Sequence, residues 1–129
     1  MIGIVLVSHS AALADGLAEM ADQIAGGDVC ILAAGGGPDG TLGTSGDVIV
    51  SAIEKADSGA GVLILADLGS AILSVKAALA SGDLDGTDAV LVDAPLVEGA
   101  IAAAVAASIG QDLTAARTAA EEAWDVRKL

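Results

Sequence analysis

Apolar positions along the chain form short continuous runs that alternate with longer stretches of helical periodicity. A strand of a parallel sheet is covered on both faces and is therefore apolar at nearly every position, so each short run is predicted to be a buried strand. The predicted strands are Ile2–Val7, Val29–Ala33, Gly61–Ala66 and Ala89–Val92.

After each predicted strand, apolar residues recur at intervals of three and four, which predicts an amphipathic helix. The predicted sheet-facing positions are Leu13, Leu17, Met20, Ala21 and Ile24, then Val48, Ile49, Ala52, Ile53 and Ala56, then Ile72, Leu73, Val75, Ala78 and Leu79. An alanine-rich helix over Gly99–Ile109 and a last helix over Asp112–Trp124 complete the pattern. This alternation predicts one domain over residues 1–129 with an α/β fold, a three-layer α/β/α sandwich around a mainly parallel, doubly wound sheet.

The carboxyl ends of parallel strands meet at one edge of such a sheet, where ligands bind. The segments predicted at that edge are Ser8–Ser10, Gly35–Gly46, Asp67–Ser70 and Asp93–Pro95. If the strand order is 2-1-3-4, which is an assumption at this point, strands 1 and 3 are neighbours. His9, the only histidine of the chain, would then face Asp67.

An aspartate beside a histidine holds one ring nitrogen and leaves the other free to attack a phosphoryl group and carry it. The simpler alternatives are a histidine without a role and an aspartate that caps the following helix, and capping is compatible with orientation of the ring. A serine nucleophile beside His9 is disfavoured because adjacent residues point apart and no GxSxG motif is present. With no second histidine and no suitable cysteine, no metal site is predicted.

The Gly35–Gly46 loop is long, rich in glycine and leads into a helix whose first N–H groups can bind an anion. Thr44 and Ser45 add hydroxyl groups there, and Gly69-Ser70 opens the third helix in a similar way. Phosphate binding fits both places, although turn formation alone would also explain each. Neither the Walker motif nor GxGxxG is present, so no nucleotide cofactor is expected.

The formal net charge of −13, with 18 acidic and 5 basic residues, disfavours nucleic acids and anionic membrane surfaces as partners. The acids either keep the surface soluble or steer a basic protein partner. No apolar stretch reaches the length of about 20 residues that a membrane span needs, and no signal peptide is recognisable, so a cytoplasmic protein is expected. The single cysteine, Cys30, is expected to be a buried, inert thiol.

Four segments together resemble the enzyme IIA domains of the mannose phosphotransferase family, and most closely the branch that serves PEP-dependent dihydroxyacetone kinase. The matching segments are Gly3–Ser10, Leu42–Thr44, Asp67–Ala71 and Ala94–Ala100. The last two point to the dihydroxyacetone branch rather than to a sugar permease.

The resemblance implies a phosphotransferase in which His9 accepts a phosphoryl group from the phosphocarrier HPr and Asp67 orients the imidazole. The residues implied to surround the phosphate are Thr44, Ser45, Gly69 and Ser70. The phosphoryl group would pass to ADP on one kinase subunit, and the ATP formed would phosphorylate dihydroxyacetone on another. Some members carry further domains that resemble HPr and part of enzyme I. This chain is expected to end after the first domain and to use a separate donor.

The resemblance also implies the α/β/α fold and a homodimer, for which the Gly99–Ile109 helix and the Trp124 end are candidate surfaces. Two alternative functions stay open: a relay for a mannose-type sugar permease, and a non-catalytic regulatory domain that senses phosphoryl flux by binding a partner. A small nucleotide-binding module ranks last because its motif is absent.

Overall fold

A computed structural model, which describes residues 1–129, contains a wholly parallel four-stranded sheet between two layers of helices. The strands are β1 (Gly3–Ser8), β2 (Ile31–Gly35), β3 (Val62–Ala66) and β4 (Ala89–Leu91). The helices are α1 (Ala11–Ala25), α2 (Gly46–Ala56), α3 (Gly69–Ala80), α4 (Leu96–Ser108) and α5 (Leu113–Glu122), followed by a 3₁₀ turn, Ala123–Asp125. The strand order is β2-β1-β3-β4, so the predicted fold class and order are confirmed. None of the helices is long and apolar enough to cross a membrane.

The register of the sheet brings the strand ends level with one another. Ser8 at the end of β1 lies beside Gly35 at the end of β2. Val7 lies beside Ala66, the last residue of β3. His9 and Asp67 are the next residues of two adjacent strands and therefore emerge side by side from the same edge of the sheet.

Alternate residues of the two central strands enter two separate cores. In β1, Ile4 and Leu6 face the layer formed by α1, α4 and α5. Val5 and Val7 face the opposite layer, formed by α2 and α3. Because both faces of β1 and β3 are covered, these strands are apolar throughout, as a buried parallel sheet requires.

The apolar faces predicted for the helices are only partly correct. In α1 the residues that pack against the sheet are Ala14, Leu17 and Ala21, which are all buried. Two small alanines let the helix approach the strands closely, and the larger apolar residues beside this strip stay outside it. The predicted core residues that are exposed are Leu13, Met20, Ile24, Val48 and Leu73.

The expectation of a buried thiol at Cys30 is wrong, because this side chain is exposed. β2 begins at Ile31 and is an edge strand. Val29 is buried, and neighbouring side chains in an extended segment point to opposite sides, so the next residue, Cys30, faces outward.

Gly35 ends β2 where the chain passes the start of α1. A Cβ atom at this position would lie 2.7 Å from the Ser10 carbonyl oxygen and 2.8 Å from the Cα atom of Ala11. We expect Gly35→Ala to lower the free energy of unfolding by about 1–3 kcal/mol, since the two backbones must move apart. Urea denaturation measures the change.

The control for Gly35→Ala is Gly16→Ala, in the middle of α1, where an added Cβ meets nothing within 4 Å. Replacing a glycine in a helix interior is expected to raise the free energy of unfolding by about 0.5–1 kcal/mol. A stable Gly35→Ala variant would contradict the close approach of the two backbones.

Candidate active site

His9 and Asp67 form a direct contact at the carboxyl edge of the sheet, as the sequence predicted for neighbouring strands. Nδ1 of His9 lies 2.8 Å from Oδ1 of Asp67. The two side chains are 23% and 14% exposed, so the pair is partly shielded yet open to a partner. An ionised carboxylate only accepts hydrogen bonds, so Nδ1 carries the proton and the neutral ring keeps its lone pair on Nε2.

Both oxygens of Asp67 accept two hydrogen bonds each. Oδ2 accepts from the Ser8 hydroxyl at 2.8 Å and from the His9 backbone N–H at 3.0 Å. Oδ1 accepts from the imidazole and from the Leu68 N–H at 2.7 Å. Asp67 therefore contacts both the ring and the backbone at the turn into α3. The predicted helix cap is wrong, because α3 begins at Gly69 after Leu68 and no side chain caps it, whereas orientation of the ring stays a prediction.

These hydrogen bonds determine the charge of Asp67. Burial alone would raise the pKa of this carboxyl, but the hydrogen bonds from His9, Leu68 and Ser8 outweigh it and lower the pKa below its ordinary value of 3.8. The group is therefore ionised at neutral pH. Its stabilising contribution is present above the unfolded-state pKa and is lost as the pH falls through the lower, folded-state value.

Ser8 is a further candidate for a functional residue, in a role other than the nucleophile that its place beside His9 suggests. It is 1% exposed and is the one buried polar residue of the chain. Its hydroxyl donates to Asp67 and accepts the Ser10 N–H at 3.1 Å. Its position at the end of an apolar strand was the available signal, because a buried serine must find a partner.

The second ring nitrogen of His9 faces the start of α3. Nε2 forms a hydrogen bond with the Ser70 hydroxyl. No side chain caps α3, and the first N–H groups of a helix have no partner inside it. Gly69 and Ser70, the first residues of α3, thus place a hydroxyl group at Nε2 and leave backbone donors free at the same helix start, where they suit an anion.

The glycine-rich loop is attached to the other side of His9. The Gly36 N–H donates to the Ser8 carbonyl at 3.1 Å, and the Gly43 N–H donates to the His9 carbonyl at 3.0 Å. Thr44 follows Gly43 in the chain, and its Oγ1 lies 2.6 Å from Oγ of Ser74 on α3. The loop is therefore fixed to both β1 and α3, and Ser74 is a residue that the sequence did not single out.

Ser45 has a different position from the other predicted phosphate ligands. Its hydroxyl accepts the Val48 N–H and caps α2. No hydrogen bond joins it to His9 or Ser70. A phosphate contact by Ser45 stays a prediction, and it would require release of this cap.

A cleft of about 450 Å³ adjoins Asp67 between the ends of β3 and β4. Its lining includes Lys76, Asp93 and Trp124, the only aromatic residue of the chain. The indole Nε1 donates to the Asp93 carbonyl at 3.1 Å, which places the end of the chain beside the site. No group of three His, Cys, Asp or Glu side chains is arranged to hold a metal ion.

The arrangement is chemically suited to an oriented nucleophile. An imidazole that holds its proton on Nδ1 would offer the lone pair of Nε2, and the carboxylate could stabilise positive charge that develops on the ring. This chemistry matches group transfer to histidine.

Sequence comparisons agree with that chemistry. The EIIA-man family model, described as the PTS system fructose IIA component, matches residues 3–117. The phosphoryl donor subunit DhaM of PEP-dependent dihydroxyacetone kinase 2 from Listeria innocua is 44% identical over 106 residues, which cover 81% of this chain and 85% of that protein.

Longer relatives match over one part of their length. DhaM of Providencia stuartii is 41% identical over 99% of this chain but only 28% of its own length. DhaM of Escherichia coli is 38% identical over 88% of this chain and 25% of its own length. The chain thus spans about a quarter of these two proteins.

Two solved structures share the fold. The crystal structure of EF1359, a protein of unknown function, has a TM-score of 0.80 and 42% identity and covers 94% of this chain and 93% of its own. A sigma-54 interaction domain protein from Enterococcus faecalis has a TM-score of 0.71 at 14% identity, covering 96% and 90% of the two chains, which shows a common fold alone.

Proposed function

The chain belongs to the EIIA-man family of the phosphotransferase system, and on that premise we propose that His9 relays a phosphoryl group from HPr to ADP bound on a dihydroxyacetone kinase subunit. The observation that carries the proposal is the contact between Nδ1 of His9 and Oδ1 of Asp67. It leaves Nε2 as the one ring nitrogen able to form a bond with phosphorus.

In the first step the Nε2 lone pair attacks the phosphorus atom carried by HPr. The Nε2–P bond forms while the bond between phosphorus and the donor breaks, and the electron pair of that bond stays with the donor. Asp67 stabilises the positive charge on the phosphorylated ring through Nδ1–H. Ser70, Gly69 and Thr44 donate hydrogen bonds to the phosphoryl oxygens.

In the second step a terminal phosphate oxygen of ADP attacks the phosphorus atom. The Nε2–P bond breaks, ATP forms and the neutral imidazole is restored. The names of the Listeria, Providencia and Escherichia relatives, phosphoryl donor subunits of dihydroxyacetone kinase, support this acceptor. They also favour it over a mannose-type sugar permease.

The surface around His9 suits protein partners. Large apolar side chains are exposed at positions next to residues of the site: Leu42 before Gly43 is 81% exposed, Leu68 after Asp67 65% and Leu73 before Ser74 68%. Exposed apolar residues that cluster at a polar site are typical of a protein interface. The net charge of −13 favours encounter with a donor that presents a basic face.

The homodimer implied by the family resemblance stays a prediction. The outer face of α4 supports it, because Val97 and Val105 are exposed there and Ile109 is exposed directly after the helix. After Glu98, which pairs with Lys128, this helix carries no charged residue, so Val105 and Ile109 can be covered without burial of a charge of α4.

The test is phosphorylation of the purified chain. Intact mass is measured after incubation with PEP, enzyme I and HPr, then again after addition of the kinase subunit with ADP. We expect a gain of one phosphate that is lost in acid and is discharged by the kinase subunit. No gain with an active HPr would favour the non-catalytic regulatory domain, and a gain that ADP and the kinase subunit cannot discharge would favour a different acceptor.

A further inference from the structure

A pair of hydroxyl groups closes a ring of contacts around His9. Gly43 donates to the His9 carbonyl, and Ser70 binds the imidazole Nε2. Thr44 follows Gly43 in the loop, and Ser74 lies one helical turn after Ser70 in α3. The 2.6 Å contact between Thr44 Oγ1 and Ser74 Oγ joins the loop to α3 and so completes the ring.

The direction of the hydrogen bonds in this pair follows from the number of protons. Each hydroxyl group has a single proton to donate. Ser74 Oγ lies 3.1 Å from the carbonyl oxygen of Ser70, which can only accept, so the Ser74 proton is engaged there. With this assignment the Thr44 hydroxyl donates to Ser74, so its proton is engaged in the resting site before a phosphoryl group arrives.

We propose that Ser74 is a positioning residue that holds Thr44 in the resting site and supports the Thr44 hydroxyl when it turns to donate a hydrogen bond to the phosphoryl group. When the phosphoryl group reaches His9, the Thr44 hydroxyl turns to a phosphoryl oxygen. Ser74 then turns its own proton from the Ser70 carbonyl to Thr44 Oγ1. Every hydroxyl keeps its proton, and the Ser70 carbonyl keeps the Ser74 backbone N–H as its helical partner. The inference rests on the proposed phosphorylation of His9.

The competing explanation is a purely local role for Ser74 within α3, where a serine hydroxyl commonly bonds to the preceding turn. The chain provides a matched control for it. Ser108 on α4 donates to the Val105 carbonyl at 2.7 Å and has no second hydroxyl partner. Ser108→Ala removes the same kind of helical bond at a distance from the site.

The experiment measures how phosphate distributes between labelled HPr and the chain at equilibrium, for Ser74→Ala, Thr44→Val, the double variant and Ser108→Ala. In the phosphorylated site Ser74 donates to Thr44, and this bond is strengthened because Thr44 donates in turn to a charged phosphoryl oxygen. The neutral hydroxyl bonds of the resting site are weaker, so we expect Ser74→Ala to reduce the equilibrium constant for phosphorylation by roughly 3- to 10-fold, and Thr44→Val by roughly 10- to 100-fold. The double variant should match Thr44→Val alone, because Ser74 acts only through Thr44. Ser108→Ala should equal the wild type.

Two results would overturn the inference: a Ser74→Ala variant that behaves like Ser108→Ala, or losses that multiply in the double variant. Circular dichroism and urea unfolding check each fold, and Ser74→Cys replaces Ser74→Ala if the alanine variant does not hold its structure. A wild-type chain that takes no phosphate contradicts the proposed function itself, which is a different outcome from a phosphorylated chain insensitive to Ser74.

Discussion

His9→Ala takes up no phosphate from HPr under conditions in which the wild-type chain is fully labelled. This is the largest effect that we expect, because the chain has no other histidine. Ser70 loses its imidazole partner in this variant, and Ser8, whose hydroxyl donates to Asp67, is buried away from a donor protein. Intact mass spectrometry measures the phosphorylated fraction, and the assay should detect about one phosphorylated molecule in 10³.

The fold should survive this substitution. Without the imidazole, Asp67 still accepts hydrogen bonds from the Ser8 hydroxyl and from the His9 and Leu68 backbone N–H groups. Urea unfolding of His9→Ala should therefore stay within about 1–2 kcal/mol of the wild type. Phosphate retained by a folded His9→Ala protein would place the carrier elsewhere and end the relay hypothesis.

Asp67→Ala is expected to slow phosphorylation by about 10- to 10⁴-fold, the range for an acid that orients a catalytic histidine. Its removal frees Nδ1, so the ring can adopt the tautomer that places the proton on Nε2, where no bond to phosphorus can form. Stopped-flow or quenched-flow transfer from labelled HPr measures the rate.

Asp67→Asn should be almost as slow as Asp67→Ala, which separates this site from an ordinary helix cap. Each oxygen of Asp67 accepts two donors, whereas an asparagine amide offers one oxygen and an NH₂ group that cannot accept. One pair of donors would face the NH₂ group in either orientation.

The control for the Asp67 variants is Asp93→Asn, an aspartate in the segment after the neighbouring strand β4, whose rate should stay within about twofold of the wild type. Rates for both Asp67 variants equal to the wild type would show that Asp67 only holds the backbone of the turn before α3.

The central part of the fold and the contact between His9 and Asp67 were predictable because each leaves a local signal in the sequence. β1 and β3 are covered on both faces, so they appear as continuous apolar runs. Their next polar residues are His9 and Asp67, and parallel topology brings those residues to one edge. The edge strand β2 has weaker burial, and its start and the exposure of Cys30 were predicted wrongly.

The details of the site depend on contacts that have no periodic signal. Thr44 and Ser74 are separated by 30 residues, and in the sequence Ser74 is indistinguishable from a solvent-facing serine on a helix. The helix faces were over-predicted for a related reason. Helical spacing shows which residues lie on the same side of a helix. It does not show which of them, the alanines or the larger side chains, pack against the sheet.

The exposed thiol of Cys30 has a practical consequence for measurement. It precedes β2 at the amino edge of the sheet, while His9 follows β1 at the carboxyl edge, so the two are separated by roughly 20 Å of strand length. The chain thus has a single thiol to which a fluorophore or spin label can be attached, and a label at Cys30 leaves the carboxyl edge of the sheet unobstructed. Partner binding could be followed in real time on an otherwise unmodified chain, provided that a reducing agent keeps two copies from linking through this thiol before labelling.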